Sequence, residues 1–183
     1  MIQVDSGPAE TAAAVKCDLA SEVLRSFSPA YFPATGWSML PAIWPGDTLV
    51  VERITTDQVR VGDVVVVGRD GKLCGHRVIS IAGARENRQW ITQGDALPVP
   101  DRPVIGSEML GRVAYLVRAG VIRKGKRIAV PAELSGAAKL IAKMLRHSAL
   151  VARTLVYLRR LIQDMVQAPE KSDRGKVVHP CQG

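Results

Sequence analysis

Aromatic residues are scarce in this sequence, at 4% of 183 residues. Proteins that bind single-stranded nucleic acid stack its bases on aromatic side chains, so this scarcity disfavours nucleic acid as a partner. The net charge of +8 favours an acidic partner and by itself fits either nucleic acid or anionic lipid. The charge alone does not choose between the two.

Cysteine is also scarce, and Cys17, Cys74 and Cys181 are far apart. Their odd number and the absence of a CxxC pair disfavour a disulfide framework and a zinc site, which is typical of a reducing compartment. We expect no metal and no cofactor. Cys74 lies two positions before His76, so in a strand both side chains point to the same side. A small core residue is the interpretation we favour for Cys74, ahead of a thiol nucleophile.

Long apolar runs are absent as well. The chain begins with a polar, alanine-rich stretch, so we expect no signal peptide and no amino-terminal membrane anchor. Residues 26–46 are uncharged, but helix-breaking prolines and Gly36 exclude a membrane span there. We predict a protein that is cytoplasmic or attached peripherally to a membrane.

The middle of the chain has the pattern of a mostly β, antiparallel domain. Short β-rich segments alternate with turns about every ten residues. Val64–Val67 indicates a strand buried on both faces, and Asp70-Gly71 is a hairpin signature. We predict strands at 48–53, 64–67, 73–81, 89–92, 104–105 and 111–117. The predicted segments are an N-terminal helical extension (1–30), a β domain (31–121), a basic connector with an amphipathic helix (122–167) and a disordered tail (168–183).

One long helix is predicted for residues 133–166. At 100° per residue, its lysines and arginines fall on one face and its apolar side chains on the other. Three roles for such a helix stay open. It would bind an anionic membrane surface, pack on the β domain, or pack on a second subunit of a homo-oligomer. Six cations between residues 139 and 160 exclude a membrane span.

Three short segments of the β domain carry candidate chemistry. Ser38 lies in the uncharged, proline-rich stretch of residues 26–46. His76 is the only histidine of the β domain, and Asp95 and Asp101 follow it in the sequence. A serine becomes a nucleophile when a base such as histidine accepts its proton, and an acidic group stabilises the charged histidine. Each of these residues taken alone is more often structural. Together, and in this order, they predict a hydrolytic site.

Five ordered motifs between Thr35 and Val117 resemble the type I signal peptidase family and, more broadly, peptidases with the LexA-like β fold. The motifs are Gly-Trp-Ser-Met-Leu-Pro with Pro-Gly-Asp, Val-Gly-Asp-Val-Val-Val-Val, Gly-His-Arg-Val-Ile, Thr-Gln-Gly-Asp followed by a second Asp, and Gly-Arg-Val. The resemblance implies that Ser38 is the nucleophile. Histidine stands where most bacterial members have lysine, which is similar to the archaeal and endoplasmic-reticulum type and implies His76 as general base.

The resemblance further implies a serine endopeptidase that cleaves a precursor or leader peptide through an acyl-enzyme on Ser38. Its acidic residue would be Asp95 or Asp101. We favour Asp101, because a Gly-Asp pair such as Gly94-Asp95 is common in turns. Backbone N–H groups, including that of Ser38, would stabilise the oxyanion. Four apolar residues would line a shallow cleft for an extended peptide: Trp37, Met39, Leu40 and Ile43.

The chain differs from most signal peptidases in lacking an apolar span just before the serine motif. The alternative function is therefore a non-catalytic or self-cleaving regulator on the LexA-like fold. Two features argue against it: residues 1–30 show no helix-turn-helix pattern, and such regulators use a lysine base. The nearby Lys72 falls in a predicted hairpin turn, where we expect it to be exposed.

Overall fold

A computed structural model describes residues 15, 18–24, 26–84, 87–118 and 126–167. Within these ranges, seven antiparallel strands form one sheet, with helices before and after it. The predicted mostly β, antiparallel architecture with flanking helices is thereby confirmed. The predicted disordered tail and the beginning of the N-terminal helix lie outside the described residues.

The sheet order is β1-β2-β6-β3-β4-β5, and β7 pairs with β6. The strands are β1 (Ala30–Pro33), β2 (Thr48–Glu52), β3 (Val64–Arg69), β4 (Lys72–Ala82), β5 (Gln89–Gln93), β6 (Met109–Arg118) and β7 (Lys126–Ala129). The helices are α1 (residues 18–24), α2 (Gly136–His147) and α3 (Ala149–Gln167).

The β3–β4 hairpin fixes the register of the strand that carries the histidine. Its turn residues Asp70 and Gly71 have φ angles of 51° and 68°, as the Asp-Gly signature predicts for a two-residue loop. The resulting register sets His76 opposite Val65. Because side chains alternate along a strand, His76 and Arg77 point to opposite faces of the sheet.

Apolar side chains cover both faces of this sheet, as predicted from the four consecutive valines. Val64 and Val66 belong to one buried cluster, whereas Val65 and Val67 belong to another. The first cluster also contains Leu24 of α1 and residues from β2 and β6. The second contains Val78, which lies on the same face as His76. The histidine therefore projects from a rigid, buried framework.

The strands differ from the sequence prediction in three places. The predicted strand at 104–105 is wrong, because Val104 forms only an isolated bridge to Trp90, and two strands were not predicted. β1 was not among the predicted strands, but it pairs with β2 at the edge of the sheet, where the missing N–H of a proline is tolerated. β7 lies within the segment predicted as a basic connector and pairs with β6. Its lysine and arginine interrupt the alternation of apolar and polar residues that predicts a strand. In the structure, the Arg127 guanidinium lies over the Tyr115 ring of β6, 5.3 Å from the ring centre.

The predicted single C-terminal helix is wrong, because the chain breaks at Ser148 into α2 and α3. The Ser148 hydroxyl accepts a hydrogen bond from the Val151 N–H at 3.4 Å, which caps the start of α3. Ser135 caps α2 in the same way through the Ala138 N–H. No helix among the described residues is both long and apolar enough to cross a membrane.

Candidate active site

The serine loop, residues 36–47, is held in place at its C-terminal end. It closes in the predicted Pro-Gly-Asp turn, where Gly46 has a φ of 93°. Asp47 is 1% exposed and accepts hydrogen bonds from Arg118 Nε at 2.9 Å and Nη2 at 2.7 Å. It also accepts one from the Trp44 N–H at 2.8 Å. A buried carboxylate with this many donors fixes the loop to β6.

The apolar side chains of this loop face inward. Met39, Leu40 and Ile43 are between 0% and 5% exposed. The prediction that these three residues line a shallow cleft is therefore wrong, because they pack into the core of the protein. Met39 and Ile43 join the cluster beneath β2 and β6, and Leu40 joins another. Of the four predicted cleft residues, only Trp37 is partly exposed.

Ser38, His76 and Asp101 lie in one hydrogen-bonded chain. Ser38 Oγ is 3.1 Å from His76 Nε2, and His76 Nδ1 is 2.6 Å from Asp101 Oδ2. The histidine is 7% exposed, which shields these bonds from solvent. In this geometry the imidazole is able to accept the serine proton while the carboxylate stabilises the resulting positive charge.

A threonine of β5 holds the acidic end of this chain. Thr92 is 1% exposed, and its hydroxyl donates to Asp101 Oδ2 at 2.7 Å. The Asp101 N–H donates to the Thr92 carbonyl at 2.8 Å. Burial opposes ionisation of Asp101, but hydrogen bonds from His76 and Thr92 outweigh it and lower its pKa. The carboxyl is therefore ionised at neutral pH, as a partner of a charged imidazole must be.

Asp95, the other candidate acid, does not contact the histidine. It forms a bidentate ion pair with Arg77, with Nε–Oδ1 and Nη2–Oδ2 distances of 2.8 and 2.9 Å. Both residues are buried, at 4% and 7% exposure. Arg77 Nη1 also donates to the Gly62 carbonyl at 2.9 Å and to the Pro131 carbonyl at 2.6 Å. This pair joins β4 to the segment before α2, so its place in the fold is structural.

The turn that carries Asp95 also supports the backbone of the serine. The Ala96 N–H donates to the Ser38 carbonyl at 2.8 Å. A Cβ on Gly94 would lie 2.8 Å from that same carbonyl oxygen, so only glycine allows this approach. Among the described residues, the Ser38 N–H donates to no other group. That free donor beside the hydroxyl is what an oxyanion site requires.

Cys74 lies on the same side of β4 as His76, but it is exposed and not in the core, contrary to the prediction. It lines a cavity of about 230 Å³ together with Thr92 and Asp101. Partial burial, with the negative charge of Asp101, raises the thiol pKa, which disfavours the thiolate needed for a cysteine nucleophile. Within the described ranges, no three His, Cys, Asp or Glu side chains group closely enough to hold a metal ion.

The helices α2 and α3 pack against the serine loop, a feature that sequence reasoning left open. Leu145 is 2% exposed and joins Leu40 and Ala96 in one apolar cluster, against which Val156 also packs. Arg159 lies over the Trp44 ring at 4.5 Å. Of the alternatives left open for this region, packing on the β domain is therefore present on one side of the two helices.

The profile of the Peptidase S24-like family matches residues 4–88, a stretch that contains both Ser38 and His76. The chain is thus similar to serine peptidases of the LexA-like superfamily, and its predicted LexA-like fold is confirmed. Comparison with curated proteins and with solved structures gave no match. The narrower resemblance to type I signal peptidases rests on the sequence motifs alone.

Sequence reasoning missed the roles of Thr92 and Arg77, although both lie in quoted motifs. The Thr92 hydroxyl and its carboxylate partner are 9 residues apart across a loop, which leaves no periodic signal. The Arg77 guanidinium follows the histidine directly, and strand alternation places it on the opposite face, where a buried cation needs an acid. That argument predicts an acidic partner for Arg77, although it does not say which aspartate supplies it.

Proposed function

We propose that this protein is a serine endopeptidase of the signal peptidase type, which cleaves a peptide bond in a precursor or leader peptide. The observation that supports it best is the continuous hydrogen-bonded chain from Ser38 through His76 to Asp101. The similarity to S24-like peptidases agrees with serine peptidase chemistry. The histidine, in place of lysine, relates the site to the archaeal and endoplasmic-reticulum type.

In the proposed mechanism, His76 accepts the Ser38 proton as the hydroxyl oxygen attacks the scissile carbonyl carbon. The Ser38 N–H, with a second N–H nearby, stabilises the oxyanion. His76 then donates the proton to the leaving amine, and an acyl-enzyme remains on Ser38. Water, deprotonated by the same histidine, hydrolyses the ester and regenerates the enzyme. Asp101 keeps the imidazole oriented and stabilises its charged form.

The test uses a peptide library digested from a whole proteome, with cleavage read by mass spectrometry. Ser38→Ala and His76→Ala should each abolish the new termini that the wild type produces, or reduce them by about 10³-fold or more. The matched control is Ser80→Ala, which replaces an exposed serine outside the hydrogen-bonded chain. Full cleavage by Ser38→Ala would show that the assignment is wrong.

The alternative is a self-cleaving regulator on the same fold, and the similarity to S24-like peptidases is the observation that favours it. The two functions differ in kinetics. A self-cleaving chain would lose its intact mass at a rate independent of protein concentration, and Ser38→Ala would prevent the loss. A peptidase acting on other chains would stay intact while it cleaves library peptides.

A further inference from the structure

The side of α2 that faces away from the β domain is apolar. Ala142 and Leu145 are each 2% exposed and face inward. Leu140 and Met144 lie on nearly the opposite side of the helix at 100° per residue, and they are 62% and 61% exposed. A helix at the surface of a monomeric domain normally presents polar residues there. Here the outward position is occupied by two of the largest apolar side chains of the helix.

α3 also exposes apolar side chains on the side that faces away from the β domain. Val156 and Arg159 face inward, against the cluster around Leu40 and against Trp44. Half a turn away, Leu150 and Tyr157 are 73% and 62% exposed. Scattered single apolar residues are normal on a protein surface, but a contiguous set marks an interaction site. We call the following residues the outer face: Leu140, Ile141, Met144, Leu150, Val151, Tyr157, Leu158 and Leu161.

Positive charge predominates beside the outer face: Glu133 pairs with Lys139 at 3.4 Å just before α2, and Asp164 is the one acidic residue within α2 and α3. Residues 134–163 contain six lysines and arginines and no aspartate or glutamate. Lys139, Lys143 and Arg146 lie on one exposed stripe of α2, between its inward and outward sides. The Arg146 side chain reaches back to the Asp95 carbonyl at 3.1 Å. The partner of this surface must therefore be apolar where it meets the leucines and anionic along the flank.

An anionic membrane surface satisfies both requirements. A helix with an apolar face and a basic flank lies in the plane of the interface, with its apolar side chains among the acyl chains and its cations at the headgroups. A second copy of this chain fits less well, because it would bring the same cations against each other with too few carboxylates to pair them. We propose that α2 and α3 bind an anionic membrane through the outer face.

The inward side of the same helices contacts the serine loop, so membrane binding would bring that loop close to the membrane. Leu145 and Val156 pack against the cluster that contains Leu40, two residues after Ser38. Docking through the outer face places the serine loop about one helix diameter, roughly 10 Å, from the headgroups. If the proposed function holds, the substrates are peptides presented at a membrane surface. The membrane binding itself does not depend on that function.

The experiment is co-sedimentation of the full chain with vesicles of phosphatidylcholine alone or mixed with phosphatidylglycerol. The wild type should sediment with the mixed vesicles and much less with the neutral ones. Met144→Gln combined with Leu150→Gln should weaken this binding by at least about tenfold. The matched control, Val99→Gln combined with Ile105→Gln, changes two exposed apolar residues outside the helices and should bind like the wild type.

Lys139→Gln combined with Lys143→Gln tests the charge separately, because it changes two side chains at the surface of α2 and removes only the exposed Lys139–Glu133 ion pair. It should weaken binding to mixed vesicles about five- to thirtyfold and reduce its sensitivity to salt. Thermal unfolding should be unchanged in all variants. Absence of wild-type binding to mixed vesicles, or full binding by the Met144 and Leu150 variant, would overturn the proposal. The proposal would also be overturned if the wild type formed a dimer and did not bind vesicles, and if Met144→Gln with Leu150→Gln dissociated that dimer. Vesicle binding is measured without a cleavage assay. The binding result can therefore be interpreted even if the protein proves not to be a peptidase.

Discussion

The two aspartates that follow Thr92 should respond in opposite ways to the same substitution. Asp95→Asn and Asp101→Asn are nearly isosteric changes six residues apart. Asp95 neutralises a guanidinium that is 7% exposed, and an amide in its place leaves that charge buried without a counterion. Removal of one partner of a buried ion pair costs about 3–5 kcal/mol. Because asparagine keeps one acceptor for Arg77, we expect the lower end, about 3 kcal/mol.

Asp101→Asn should have a small effect on stability and a large one on chemistry. Its side chain is 30% exposed, and asparagine still offers a carbonyl oxygen to Thr92. We expect a cost of about 1 kcal/mol or less in unfolding free energy. The amide cannot stabilise a charged imidazole, so the cleavage rate should fall by roughly 10²- to 10⁴-fold.

Urea denaturation followed by tryptophan fluorescence measures the first effect, and cleavage of a wild-type substrate peptide measures the second. With a typical slope of about 2 kcal/mol per molar urea, the midpoint of Asp95→Asn should fall by about 1.5 M. Below its transition this variant should retain most of its activity. The reasoning is refuted if Asp95→Asn keeps wild-type stability, or if Asp101→Asn cleaves at the wild-type rate.

Three further outcomes follow from the site. Gly94→Ala should reduce cleavage about 10²-fold, because its Cβ would displace the Ser38 carbonyl, whereas Gly136→Ala has open space and should cleave normally in the same assay. Thr92→Val should lower the cleavage rate while keeping the chain folded by circular dichroism, and a rate equal to wild type would remove the threonine from the site. The lowered pKa of Asp101 means that its ionised form stabilises the fold fully above about pH 4 and less as pH falls through the folded-state pKa. The stability gap between wild type and Asp101→Asn, measured in urea, should therefore shrink below about pH 4, and a constant gap would contradict this assignment.

The architecture of the β domain was largely readable from the chain, because local signals specify it. The run Val64–Val67 and the Asp70-Gly71 turn fix a buried hairpin without reference to distant residues. The strands β1 and β7 escaped prediction because prolines and cations mask their pattern and only pairing partners stabilise them. The break at Ser148 was hidden because serine is tolerated within helices as well as at their ends.

The sequence by itself determined the candidate chemistry of this protein. Ser38, His76 and an acidic segment are recognisable because their residue types and order carry the information. Only the tertiary structure decided between Asp95 and Asp101, because the choice depends on which face of the sheet each carboxylate reaches. Tertiary packing likewise decided that Met39, Leu40 and Ile43 belong to the core. An apolar side chain fits a cleft and a core equally well in sequence, and only its neighbours in space distinguish the two.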